Sequence, residues 1–280
     1  MSLELCILAS GSSGNAALLR SPAGTMLIDI GIGPRVTAKR LAGTGVMLAD
    51  ISAVCLTHLD SDHFNFNWLP TLIRQKMKIF CHASRVDYLV RSAPNDLTND
   101  FADLIRPFEA SSFSPLADLH FSPLHLAHDR LGSHGFVIEG FGFRIGYATD
   151  LGRVPAHLVD HFSNVDLLAL ESNYDPKMQE ASTRPWFLKR RITGGNGHLS
   201  NHEALAAIKQ ILDRAQRLPD HIVLLHRSRQ CNCPKLVRKL FCKDARIAPR
   251  LVLAEQFERT HWLRPRSIMP ATGEQLLLAF

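Results

Sequence analysis

Residues 57–63 read Thr-His-Leu-Asp-Ser-Asp-His, so His58, Asp60, Asp62 and His63 place two imidazoles and two carboxylates within six residues. Such mixtures of nitrogen and oxygen donors hold first-row divalent cations. An apolar run, 51–56, precedes them, and a strand ending in this way presents ligands at a sheet edge. A solvated polar turn would use the same residue types, so the segment takes its meaning from its companions. Four more apolar runs close on a candidate donor. His128 and Asp129 follow 124–127, Asp150 follows 146–149, Asn173 and Asp175 follow 167–171, and His226 follows 222–225. Any one of these could be a satisfied core histidine or a turn-capping aspartate. Strand ends on one sheet edge, however, can converge on a single point.

The surrounding pattern predicts the strands that this convergence needs. Residues 3–9, 16–19 and 25–30 read as strands, with a Gly/Ser turn at 10–15 between the first two. That turn is not a phosphate loop, because no Gly-Lys-Ser/Thr follows and a strand succeeds it. Helices are expected at 34–41, 67–75 and 86–91, a strand at 78–82 and a polar loop at 94–100. Short strands follow at 119–121, 124–127, 135–139, 143–148 and 165–171. The clearest amphipathic helix is 203–217, with Leu205, Ile208, Ile211 and Leu212 on one face. A strand at 221–225, a basic helix at 235–241 and terminal strands at 251–254 and 260–263 complete the pattern. Two roughly similar halves of this kind predict two sheets packed face to face between helical layers, in one domain spanning 1–280.

At 280 residues, 46% hydrophobic and 21% charged, the composition is that of an ordinary globular protein. No apolar stretch approaches the roughly 20 residues that span a bilayer. The N-terminal residues lack the basic start and cleavage site of a secretory signal. Six irregularly spaced cysteines do not form a disulfide framework, so a cytoplasmic location is expected. The net charge is +6, and the excess is uneven. Between Arg184 and Arg250 there are about 15 Lys and Arg against about 4 acids, which suggests a polyanionic partner or, equally, a solvated basic face.

The order His58-x-Asp60-x-Asp62-His63, then His128, Asp150 and His226, resembles the metallo-β-lactamase fold, whose usual motif is His-x-His-x-Asp-His. Residues 8–15 (Leu-Ala-Ser-Gly-Ser-Ser-Gly-Asn), 149–152 (Thr-Asp-Leu-Gly), 171–173 (Glu-Ser-Asn) and 197–201 (Gly-His-Leu-Ser-Asn) are similar to the YycJ/WalJ branch, related to tRNase Z and RNase J. The likeness runs over residues 3–240. It implies an αββα sandwich, two divalent metals and phosphodiester cleavage, with 5′-to-3′ exonuclease action on DNA, rather than RNA, as the leading activity. It also implies that His58, Asp60 and His128 hold one metal and Asp62, His63 and His226 the other, with Asp150 bridging and Asp29 supporting the site without ligating.

Asp60 departs from the family, which usually has histidine there. A harder, charged ligand shifts preference from Zn²⁺ toward Mn²⁺ or Fe. It could also weaken the first site enough to leave an inactive nucleic-acid-binding relative. Two dications about 3.5–4 Å apart would hold a bridging hydroxide and clamp a phosphate. Asp62 would orient it or take its proton, and His198 would protonate the leaving oxygen. The glycines at 194–197 would let the backbone near His198 approach a phosphate. Ser200 and Asn201 would bind substrate at the N-terminus of the amphipathic helix, or simply cap it with Glu203 in the first turn; Asn173 is a further substrate-binding candidate.

Weaker features remain. His125 and His134 are expected in core or surface positions, Cys231-x-Cys233 is half a zinc clip without a second pair, and Trp186 beside Lys189, Arg190 and Arg191 is either a base-stacking platform or core. A β-lactamase would carry a signal peptide, tRNase Z a Gly-rich projecting arm, and RNase J an inserted domain. A cyclic-phosphodiester, thioester or lactone hydrolase is the competing enzyme class. The last forty residues are expected either to close the sheet or to form a homodimer contact.

Overall fold

The computed structural model describes residues 3–266. Six strands form a first sheet in sequence order: β1 (Glu4–Ala9), β2 (Ala16–Ser21), β3 (Gly24–Ile28), β4 (Ile51–Cys55), β5 (Lys78–His82) and β6 (Ile105–Phe108). The first three are antiparallel, and β3 to β6 run parallel. Parallel neighbours need crossovers. These carry α1 (Pro34–Leu41), α2 (Leu69–Gln75), α3 (Val86–Arg91) and α4 (Thr98–Ala102).

The second sheet has seven strands in the order β13-β12-β11-β10-β9-β8-β7. Its antiparallel half is β7 (Phe113–Leu116), β8 (Leu119–Leu126), β9 (Ser133–Gly140) and β10 (Phe143–Ala148). Its parallel half adds β11 (Leu167–Glu171), β12 (His221–Leu225) and β13 (Leu251–Leu253). Between these strands lie α5 (Ala156–Phe162), α6 (Pro176–Ala181), α7 (Trp186–Thr193), α8 (Asn201–Arg214) and α9 (Pro234–Phe241).

Period-two patterning assembles the layers. In β1, Leu5 and Ile7 point between the sheets, where they meet Phe121, Phe136, Ile145 and Leu167. Cys6 and Leu8 point outward to the layer containing Trp68, Leu72 and Phe101. On the outer face of the second sheet, Phe162, Ile208, Ile211 and Phe241 cover Leu168, Leu170 and Leu224. Both sheets are covered on both faces, which is why most of their strands read as unbroken apolar runs. The result is the αββα sandwich of the metallo-β-lactamase fold.

Several elements differ from expectation. The amphipathic helix is Asn201–Arg214 rather than 203–217, because the Ser200 hydroxyl accepts from Glu203 N and sets the start two residues earlier. The polar segment 94–100 runs into a short helix, α4, anchored by buried Phe101. Residues 119–126 form one strand through Pro123. Proline is tolerated there because β7 pairs with β8 only as far as Phe121, so nothing needs the missing N–H. Residues 260–263 make only an isolated bridge, Leu263 to Leu5. Thus β13 and this bridge help close both sheets; residues 267–280, the rest of the expected closure or dimer contact, lie outside the described residues.

Candidate metal centre

The carboxyl ends of β3, β4, β10, β11 and β12 meet at one end of the sandwich. Asp29, Asp150 and His226 each follow such a strand in a left-handed conformation, at φ of 60, 53 and 51°. Non-glycine residues rarely adopt it, and at three strand ends it turns the side chains toward a common point. Asp29 is fully buried, accepts from the Thr57 backbone and hydroxyl, and lies 2.8 Å from His63 Nδ1. Burial raises its pKa even against His63 and Thr57.

Four imidazoles are oriented in the same way. His63 Nδ1 faces Asp29, His128 Nδ1 donates to the Gly197 carbonyl at 2.8 Å, His58 Nδ1 lies 3.0 Å from Thr57 Oγ1, and His226 Nδ1 lies 3.0 Å from Glu171 Oε1. An acceptor on Nδ1 fixes the tautomer and leaves the Nε2 lone pair for a metal. The Nε2 atoms turn inward. His58 Nε2 is buried with no hydrogen-bond partner, 3.7 Å from Asp60 Oδ2, and His128 Nε2 lies 3.8 Å from the same oxygen. His226 Nε2 and His63 Nε2 stand 3.2 and 3.8 Å from Asp62 Oδ2. Asp150 sits between the two groups, with Oδ2 2.9 Å from His63 Nε2 and Oδ1 4.0 Å from His128 Nε2. The donor groups His58–Asp60–His128 and Asp62–His63–His226 therefore each fit a divalent ion, and an orphaned buried nitrogen marks the first.

The electrostatics fit the same reading. Burial disfavours charge on His226 and His128, yet the carboxylates outweigh it. Asp150, Asp62 and Glu171 hold His226 at about 10, and Asp60 and Asp150 hold His128 at about 9. His128, 3.8 Å away, brings Asp60 down to about 2, against the effect of burial. Burial opposes the charge on Asp150, but His226 and His63 keep it well below the usual carboxylate range. A pocket this rich in buried carboxylates needs positive charge, which protons or metal ions can supply.

A cavity of about 420 Å³ opens over these residues, walled by Ser12, Arg184, Leu188, Arg191 and Gln230. His198 lines it beside the donors, with Nδ1 2.7 Å from Glu171 Oε1 and 3.4 Å from Asp150 Oδ1. Asn173 also reaches the cavity, but its amide donates to the His226 carbonyl at 2.8 Å. Ser200 and Asn201, expected at the substrate, are not among the residues that line it. The Ser200 hydroxyl and backbone N–H close a reciprocal cap with Glu203, and the Asn201 amide is buried against Ser172 and Asn232. Gly197 lines the cavity and is also tightly packed: a Cβ on it would lie 2.3 Å from the Arg191 and Ile192 carbonyls. Asp129 pairs with Arg191 and Asp175 caps α6 through Met178 N, so neither joins the donor cluster. Cys231 and Cys233 belong to none of the donor groups found among the described residues.

Sequence reasoning missed three contributors. Glu171 is fully buried and ends an apolar strand, the very pattern that singled out the other donors. Ser10 Oγ accepts from His226 N at 2.7 Å, and Asn15 Nδ2 lies 2.9 Å from His63 Nε2 and 3.3 Å from Asp62 Oδ2. The Gly/Ser turn is thus a wall of the site.

The family model for the beta-lactamase superfamily domain matches residues 25–226. Exodeoxyribonuclease YycJ of Bacillus anthracis is 24% identical over 242 residues, covering 85% of this chain and 87% of the relative. Exodeoxyribonuclease WalJ of Streptococcus pneumoniae is 26% identical over 233 residues, covering 82% and 83%. Among solved structures, the metallo-beta-lactamase fold protein YhfI of Bacillus subtilis superposes with a TM-score of 0.67 at 14% identity, over 93% of this chain and all of that one. No helix among the described residues is long and apolar enough to cross a membrane. With a family match over most of its length and a sandwich of the same architecture, the chain belongs to the beta-lactamase superfamily as a metallo-β-lactamase-fold hydrolase.

Proposed function

We propose that the protein is a two-metal phosphodiesterase that degrades nucleic acid, acting on DNA as a 5′-to-3′ exonuclease. The observation that carries this reading is the inward set of imidazole Nε2 atoms, each backed by an acceptor on Nδ1, facing Asp60, Asp62 and Asp150. His58, Asp60 and His128 would hold one ion, Asp62, His63 and His226 the other, and Asp150 would contact both. Bound there, dications supply Lewis acidity and a water nucleophile ionised near neutral pH. Asp62, partly open to the cavity, would accept a proton from the attacking water. His198, oriented through Nδ1 by Glu171, would use its other nitrogen to protonate the leaving oxygen. Arg184 gives the cavity wall the charge to receive a phosphate. The names of the two exodeoxyribonuclease relatives support DNA as the polymer.

The carboxylate at Asp60, with Asp62, Asp150 and nearby Glu171, makes the site hard and anionic, which favours Mn²⁺ or Fe over Zn²⁺. Digestion of DNA and RNA oligonucleotides labelled at either end, with each metal in turn, tests the proposal. Mononucleotides released from the 5′ end of DNA in Mn²⁺, abolished by chelation, are expected. Hydrolysis of thioesters or lactones with no cleavage of nucleic acid would overturn it.

A further inference from the structure

Helix α7 forms one wall of the cavity, with Leu188, Arg191 and Ile192 facing inward. Its first two residues are not core. Trp186 and Phe187 are 71% and 63% exposed and adjacent in the first turn of the same helix. Phe187 lies one turn before Arg191, and Trp186 one turn before Arg190, so each ring shares a helix face with a guanidinium. Arg184, just ahead of the helix, also lines the cavity. Its guanidinium donates to Gln230 Oε1, Gln179 Oε1 and Ser228 Oγ at 3.0, 3.2 and 3.4 Å, and among the described residues it meets no carboxylate. The side chain is therefore fixed in place while its charge stays uncompensated.

We propose that the start of α7 is the platform that receives a single-stranded nucleic-acid end, with Phe187 and Trp186 stacking on successive bases and Arg184 and Arg190 contacting the phosphates between them. This inference rests on the phosphodiesterase reading and names the form of substrate that the site takes. Exposed aromatic planes beside fixed cations suit unpaired bases, which offer a π-face and a phosphate at each step, whereas a duplex keeps its bases stacked on one another. The eight-residue helix rises about 12 Å, the reach of about three stacked nucleotides. The same helix supplies Leu188, Arg191 and Ile192 to the cavity wall, so a strand held at its start lies beside the cavity. A second copy of this chain seated on the same rings would instead cover the cavity mouth.

Three measurements test the platform. Titration of the metal-loaded protein with a cleavage-resistant phosphorothioate oligothymidylate should quench tryptophan emission. The signal belongs to Trp186, because Trp68 is fully buried and Trp262 is half-buried under Arg20, and Trp186→Phe should abolish it. The kcat/KM for a single-stranded oligonucleotide, divided by that for bis-p-nitrophenyl phosphate, should fall roughly tenfold or more in the Trp186→Ala/Phe187→Ala double variant. Light scattering should show the same oligomeric state for both proteins. An unchanged ratio, quenching that survives in Trp186→Phe, or a dimer that the double variant dissociates overturns the platform. Quenching in a protein that cuts no nucleic acid would sink the exonuclease reading and leave the platform standing.

Discussion

Glu171 Oε1 lies 2.7 Å from His198 Nδ1 and 3.0 Å from His226 Nδ1, so one buried carboxylate orients an imidazole on each side of the site. Its other oxygen accepts from the backbone of Leu151 and Leu199, which ties the loops after β10 and before α8 to the same anchor. Glu171→Gln keeps the size but puts an NH₂ against one of these donor pairs. Turnover should fall about 10- to 100-fold, the cost typical of losing a residue that orients a metal-binding histidine. Metal content measured beside kcat separates the causes: a fall in kcat at full loading assigns the effect to His198, and parallel loss of both assigns it to His226. Unchanged turnover would contradict the role given to Glu171.

Gly31 packs directly against the backbone of Asp62. A Cβ there would lie 1.7 Å from the Asp62 carbonyl oxygen and 2.7 Å from Asn15 N. Both atoms are backbone, so neither can step aside cheaply. Gly31→Ala should cost about 1–3 kcal/mol in denaturant unfolding and displace Asp62 enough to weaken one of two bound metals. Wild-type stability in this variant would contradict the close approach.

Ser200→Ala distinguishes a helix cap from a substrate contact. Loss of the reciprocal Ser200–Glu203 bonds should cost about 1 kcal/mol and lower the Tm, with kcat/KM unchanged. A fall in kcat/KM at unchanged Tm would restore Ser200 to the substrate site.

Away from the donors, His134 should make folding acid-sensitive. It is buried between His82, stacked at 4.4 Å, and the edges of Phe108 and His125. Burial first, then His82 and His125, push its pKa down to about 3. A histidine depressed in the fold binds its proton more readily when unfolded. Its stabilising contribution is therefore complete above the ordinary histidine range, near 6.5, and is lost as pH falls from there toward about 3. Unfolding free energy should drop by up to about 1.4 kcal/mol per pH unit in that window. His134→Phe should flatten this part of the profile; an identical slope in both proteins would contradict it.

Much of this was legible in the sequence where period-two runs ended in a donor. His58, Asp62, His63, His128, Asp150 and His226 stood out because apolar strands aimed at them, and the structure brings them together. Glu171 carried the same signal but reads equally as the last polar residue of a strand. Ser10 and Asn15 stood in a motif of the resemblance but gave no sign of their role, since only tertiary packing brings the β1–β2 turn against His226 and His63. Ser200 and Asn201 read two ways in the sequence, because capping residues and anion-binding residues are the same chemical types; the structure shows the cap. Trp186 was undecidable from sequence, because an aromatic among cations fits a core or a rim equally well.

At the centre of the proposed function, seven residues from four strand ends hold two ions in one site. Metal analysis after dialysis against Mn²⁺, on the wild type and on His58→Ala and His226→Ala, measures it directly. Two ions per wild-type chain are expected, with one lost in each variant and nuclease activity lost with either. A single ion in the wild type that survives His58→Ala, or full activity in chelator, would contradict the account.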